Sequence, residues 1–275
     1  MPKKSFVVTS GKGGVGKTTI TSNLGTALAL LDKKVCVVDA DIGLRNLDVV
    51  MGLENRVVYD LVHVIEGECR LKQALIKHKK AEGLYLLPAS QTRSKEAITP
   101  DQMRELIVKL KEEGQFDYIF VDCPAGIEHG FRNAIAAADE ALIVTTPEIS
   151  AIRDADRVIG LLQAAEIYEP KLIINRLALN MVKSRQMMDK EDIIDILAID
   201  LLGVIPEDEQ IIVSTNTGDP IVFMDDSKSA NAFRRIARRI EGEEVPIFGE
   251  GEQEGIVARL RKFFARNNRK DVEHV

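Results

Sequence analysis

The chain has 275 residues, with 37 Lys and Arg against 43 Asp and Glu for a formal net charge of −6, and 45% apolar side chains of which few are aromatic. These are the proportions of an ordinary folded domain, and they exclude a chain disordered throughout, a collagen-like repeat and a disulfide scaffold. No run approaches the roughly 18 consecutive apolar residues that a membrane-spanning helix requires, and Cys36, Cys69 and Cys123 are widely spaced and outside any CxxC pair, which points to a reducing compartment and away from a zinc site.

Taken in order, short β-branched runs alternate with longer stretches of helical periodicity. An apolar run starts by Phe6 and leaves no room for a leader peptide. Buried strands are expected at Ser5–Thr9, Val35–Asp39, Leu84–Pro88, Tyr118–Asp122, Ala141–Thr145, Lys171–Asn175 and Leu201–Ile205. Helices are expected at Lys17–Leu31, Pro100–Glu113, Ile149–Glu166, Lys190–Leu197 and Lys228–Glu241. The alternation predicts an α/β fold, a mostly parallel central sheet with helices on both faces, in one domain spanning residues 1–240.

Between the first strand and the first helix lies Gly11-Lys12-Gly13-Gly14-Val15-Gly16-Lys17-Thr18, which satisfies G-x-x-x-x-G-K-[ST] in the context that pattern needs. Glycines let successive backbone N–H groups turn into one concavity, and the helix start adds its positive end. Lys17 would reach the β- and γ-phosphates and Thr18 would offer its hydroxyl to Mg²⁺, so the expected ligand is a nucleoside triphosphate with its cation.

Three carboxylates follow buried strands: Asp39 and Asp41 at the end of the second, and Asp122 at the end of the Tyr118 run. Strand carboxyl ends face the ligand crevice of a parallel sheet. Asp39 and Asp122 are therefore candidates for the Mg²⁺ shell, and Asp41 for orienting the attacking water. Asp122 is followed by Cys123-Pro124 and not by a glutamate, so hydrolysis is expected to be slow and accelerated by a partner.

The second lysine, Lys12, extends the loop to K-G-G-V-G-K-T-T through Thr19, which resembles the deviant Walker A loop of the MinD/ParA group of ATPases. The stretches Asp41-Ile42-Gly43-Leu44-Arg45-Asn46-Leu47-Asp48 and Pro124-Ala125-Gly126-Ile127-Glu128 are similar to its septum-placing branch, and the likeness runs from about residue 5 to the tail. The resemblance implies that Lys12 reaches the phosphates of a second subunit, making ATP binding and homodimerisation one event. It implies adenine held by Asn175 and Arg176, with Pro206-Glu207-Asp208 lining the base. It also implies a partner surface at Arg153, Asp154 and Asp156 for a MinC-like division inhibitor and a MinE-like activator.

The charge is unevenly placed. Residues 255–275 carry six basic and two acidic side chains, so the tail holds +4 and residues 1–254 hold −10. Before the tail, residues 241–254 contain six glutamates and three glycines, the composition of a solvated linker. Laid on a helix over 255–270, Ile256, Val257, Leu260, Phe263 and Phe264 form one apolar arc flanked by Arg259 and Lys262, the pattern of an in-plane membrane anchor; residues 271–275 complete the tail. Two copies joined by an ATP-dependent dimer would bind an anionic leaflet far better than one.

The expectation is a cytoplasmic ATPase that visits the inner face of the cell membrane, or a plastid envelope, and places the division septum. A DNA-partitioning ATPase of the same group is disfavoured by the acidic body. Three further functions would suit this scaffold: a small-molecule ligase, an iron–sulfur reductase and a flagellar-number ATPase. The reductase would need a cysteine pair that the sequence lacks.

Overall fold

In the computed structural model, which describes residues 3–94, 97–136 and 138–248, eight strands form one sheet. They are β1 (Lys4–Thr9), β2 (Val35–Asp39), β3 (Ile76–Lys77), β4 (Leu84–Leu87), β5 (Tyr118–Asp122), β6 (Glu140–Thr145), β7 (Lys171–Leu177) and β8 (Leu201–Pro206), in the order β3-β4-β2-β5-β1-β6-β7-β8. All pairings are parallel except β3 on β4. The central strands are buried at every position of β2 and β5, as expected of apolar runs covered on both faces.

The chain leaves β1 in one direction for β2, inserts β5 between them, and then crosses β1 to reach β6. Right-handed crossovers accordingly place α1 (Lys17–Ala29) on one face, and α5 (Pro100–Glu112), α6 (His129–Ala136), α7 (Ile149–Ala164) and α9 (Lys190–Leu197) on the other. The reversal beside β1 is a topological switch point, where a ligand crevice opens. α1 is buried nearly all round, with Ile20, Leu24 and Leu28 fully enclosed, because α11 (Lys228–Ile240) packs over it from outside. Gly25 permits this close approach: a Cβ there would lie 2.6 Å from Val37 Cγ1.

Local signals account for the helix starts. Thr99 caps α5 in a reciprocal box with Gln102, and Pro100 occupies the first turn. Ser227 caps α11 by accepting the Ala230 N–H at 3.1 Å.

The sequence reading missed the shorter elements. Between β2 and β4 lie α2 (Leu47–Val50), α3 (Leu61–Ile65) and α4 (Leu71–Ala74), followed by β3; α6, α8 (Leu179–Lys183) and α10 (Gln210–Thr217) also went unseen. Segments of two to eight residues carry few periods for a pattern to declare itself.

The start of the glutamate-rich segment touches the body at separate points: Phe248 is 5% exposed, Glu241 forms a largely enclosed ion pair with Lys33, and Arg239 donates to the Val245 carbonyl at 3.0 Å. Gly242, Glu243, Glu244 and Pro246 between them are exposed. The rest of the expected linker (249–254), the helix over 255–270 with its Ile256, Val257, Arg259, Leu260, Lys262, Phe263 and Phe264, and residues 271–275 lie outside the described residues. No helix among the described residues is long and apolar enough to cross a membrane.

If residues 241–248 belong to the packed body, Phe248→Ala leaves a cavity and lowers the unfolding free energy by about 3 kcal/mol, measured by denaturant titration. A solvated linker would show no change.

Candidate functional site

The register of three neighbouring strands assembles the site. Asp39 and Asp122 are direct partners across β2 and β5, and Val8 of β1 pairs with Asp122. The loop that follows β1, residues 10–16, therefore rises beside both acids. Gly14 and Gly16 have φ of 77° and 101°, a region that a side chain disfavours. At Gly16 a Cβ would also overlap the Asn175 amide, and at Gly11 it would overlap the Asp154 backbone.

Lys17, at the start of α1 and only 8% exposed, donates to Ser10 Oγ at 3.0 Å, and Ser10 in turn donates to the Lys12 carbonyl at 2.8 Å. The ammonium is thus held inside the loop by a single neutral hydroxyl. Lys12 points the other way, to Glu148 Oε2 at 2.9 Å and Ser150 Oγ at 3.1 Å, at the start of α7. Its charge holds the Glu148 carboxyl below the usual range. Both groups are well exposed, so the pair itself contributes little to stability.

Behind the loop the Thr18 hydroxyl donates to Asp122 Oδ2 at 2.6 Å, and Thr21 donates to Oδ1 at 3.3 Å. Burial pushes the Asp122 carboxyl up to about 7, and the neighbouring Asp39 charge adds to that; Thr18 and Lys17 oppose it. A carboxyl this reluctant to ionise, bonded to a threonine hydroxyl beside a phosphate loop, fits a site completed by a divalent cation. Among the described residues no three His, Cys, Asp or Glu side chains gather into a metal site of their own, so phosphate oxygens and water would have to supply the other ligands.

Asp39 faces Asp122 from the neighbouring strand. It is 1% exposed, and its oxygens accept the backbone N–H groups of Asp41 at 2.9 Å and of Asn46 and Leu47 at 3.1 Å each. Burial raises it to about 6 despite these bonds. Asp39 pins the loop that carries Asp41. A 2.7 Å ion pair between Arg45 and the fully buried Asp48 holds the far side of that loop. Asp41 itself is partly exposed at the crevice.

The base-side residues gather at the ends of β7 and β8. Asn175 is buried and donates to the Val15 carbonyl at 2.8 Å, tying the phosphate loop to β7. Arg176 has φ of 58° and an exposed side chain, in an irregularity of the β7–β8 pairing. Pro206 is buried and Glu207 exposed, and Asp208 accepts from Ser227 Oγ at 3.0 Å and the Gln210 N–H at 3.0 Å, so its carboxylate fastens α10 and α11.

On α7, Arg153 and Asp156 are exposed, whereas Asp154 is half-buried with its backbone against Gly11. All three keep some exposure on this face of α7. Ser10, Thr21, Glu148 and Ser150 were missed: hydroxyls and an exposed glutamate have no spacing rule, and only the fold brings them to the lysines and Asp122. Ser10 alone, adjoining the glycine motif, had a signal that could have been used.

The family model ParA, described as NUBPL iron-transfer P-loop NTPase, matches residues 2–241. The chain is 53% identical over 264 residues to the septum site-determining protein MinD of Bacillus subtilis (strain 168), covering 95% of this chain and 98% of that one. Among solved structures, the MinC:MinD cell division protein complex of Aquifex aeolicus matches with a TM-score of 0.84 and 49% identity over 89% of this chain and 98% of that one. MinD of Pyrococcus horikoshii OT3 complexed with Mg-ADP matches with a TM-score of 0.78 and 35% identity over 86% and 96%.

Because Asp122 gains a proton on folding that the unfolded chain releases above its ordinary 3.8, the nucleotide-free protein loses stability as pH rises from about 4 to about 7, and the penalty is fully present above that. Asp122→Asn removes it. The variant should melt at least ~2 °C above the parent at pH 8 without nucleotide, with the gap narrowing toward pH 5, by calorimetry. An equal gap at both pH values would show that Asp122 is ionised throughout.

Proposed function

The chain belongs to the septum site-determining MinD branch of the ParA/MinD family of P-loop NTPases, and it is an ATPase; we propose that it dimerises on binding ATP and Mg²⁺ and cycles between the cytoplasm and an anionic membrane surface. There it would place the division septum by recruiting a MinC-like inhibitor, with a MinE-like activator releasing it. The inner face of the cell membrane, or a plastid envelope, is the site of action. The observation that carries this reading is Lys12, a second lysine at the mouth of the phosphate loop, tethered to α7 by Glu148 and Ser150.

In the cycle, Lys17 would meet the β- and γ-phosphate oxygens, and Thr18 would offer its hydroxyl to the cation. Asp122 and Asp39 would hold the metal's water shell, and Asp39 also keeps the Asp41 loop in place so that Asp41 can orient water. Mg²⁺ held there would supply positive charge for the transferring phosphoryl group. Lys12 leaves Glu148 to meet phosphate across the dimer, and Asn175 with Pro206 borders the base. Gly11, Gly13, Gly14, Val15, Gly16 and Thr19 supply backbone to the cradle. The related MinC:MinD complex supports a MinC-like partner, and the Mg-ADP complex of another relative supports the nucleotide and cation. Membrane attachment rests on the sequence pattern of the 255–270 segment.

Co-sedimentation with vesicles rich in phosphatidylglycerol should bring the full chain down with ATP and not with ADP, and a chain ending at Glu254 should stay in solution. Sedimentation independent of nucleotide would refute the cycle. Asp41→Ala should dimerise with ATP, seen by light scattering, while turnover falls at least ~100-fold; unchanged turnover would remove Asp41 from the chemistry.

A further inference from the structure

α1 ends at the sheet edge opposite the phosphate loop. There its last turn and the outer face of α11 border a cavity of about 570 Å³ whose lining includes Ala27, Leu30, Leu31, Arg234, Arg235 and Arg238. Leu30 and Leu31, just past the end of α1, are 46% and 36% exposed, although α1 itself is largely enclosed. Three guanidinium groups meet at this cavity in a body that is acidic overall.

The arginines differ in what they already hold. Arg234 is fixed by the Val222 and Met224 carbonyls at 2.8 and 3.0 Å and by Asn231 at 3.0 Å, and it lies 3.5 Å from the exposed Asp225. Arg238 reaches Glu243 on the exposed rim at 2.8 Å. Arg235 lines the cavity as well, with no ion pair among the described residues. Its guanidinium can give an anionic oxygen in the cavity a charge-assisted hydrogen bond.

The chain leaves the described residues at the same end of the molecule. Past α11, Glu241 pairs with Lys33 just beyond α1, and Val245 and Pro246 lie by Lys171 and Leu201 at the starts of β7 and β8. The amphipathic segment over 255–270 follows shortly after Phe248.

We propose that this groove is a second lipid contact: Arg235 takes the anionic headgroup of a phospholipid, and Leu30 and Leu31 face the upper acyl region, beside the attachment assigned to the tail. The inference rests on the membrane-cycling reading. Charge argues against the tail itself as occupant, since its basic side chains would be repelled. The exposed leucine pair favours a lipid over a free phosphate or an acidic peptide, neither of which would cover apolar surface.

Two measurements on the full chain test it. In the first, affinity for vesicles of phosphatidylglycerol and phosphatidylcholine in equal parts is measured with ATP; Arg235→Gln should weaken binding about fivefold and Leu30→Ser/Leu31→Ser about tenfold or more, while Arg235→Lys recovers most of the loss and hydrolysis without vesicles is unchanged. Parental affinity in both variants, with unaltered melting temperatures, overturns the proposal. In the second, dioctanoylphosphatidylglycerol below its micelle-forming concentration is titrated by calorimetry. Saturable binding lost in Arg235→Gln, and not displaced by inorganic phosphate or a polyglutamate peptide, supports the groove; displacement by either makes the occupant a free anion or an acidic peptide and overturns it. If the parent chain fails to sediment at all, the membrane-cycling reading falls by itself, and the short-chain lipid titration still decides the groove.

Discussion

The parallel register of β1, β5 and β2 is the constraint on which the site depends. It sets Asp39 against Asp122, and Val8 of β1 against Asp122, so that a cationic loop and two desolvated acids end at the same edge of the sheet. No local preference would bring two carboxylates together in a dry interior. Strand pairing and burial impose it, and the hydroxyls of Thr18 and Thr21 and three backbone N–H groups offset part of the cost.

That arrangement leaves the charged side chains of the site in contact with one another and with neighbouring hydroxyls. Lys17 is held by one neutral hydroxyl, Asp122 keeps a raised affinity for its proton, and Lys12 is borrowed by Glu148. Each of these contacts is weaker than the one phosphate or a cation would offer in its place. The backbone that presents them is fixed by the left-handed glycines, the Asn175 bond to Val15 and the Asp39 anchor of the Asp41 loop.

The two ends of α1 face different tasks. Its first residue is the phosphate lysine, and the residues just past its last turn, Leu30 and Leu31, line the arginine groove at the opposite edge of the sheet. Buried between the sheet and α11, the helix behaves as a packed rod. The phosphate loop and the arginine groove are thus built on one element, at a separation set by its length.

The phosphate loop, the acids at the strand ends and the seven longer strands are legible in the residues alone, because each follows from a local rule: glycine spacing, an acid after a buried β-branched run, a run of β-branched residues between turn signals. The tail's amphipathic pattern is equally local. Tertiary contacts alone make Asp39 anchor a loop, set Asp154 behind Gly11, give Ser10 and Glu148 to the two lysines, and hold Glu241 and Phe248 against the body. Each of these is a contact between segments distant in the chain or a partner lacking any spacing rule, so its energy comes from what the fold places beside it. Glu241 shows the difference: its neighbours in sequence mark a solvated linker, whereas Lys33, on the loop after α1, makes it part of the structure.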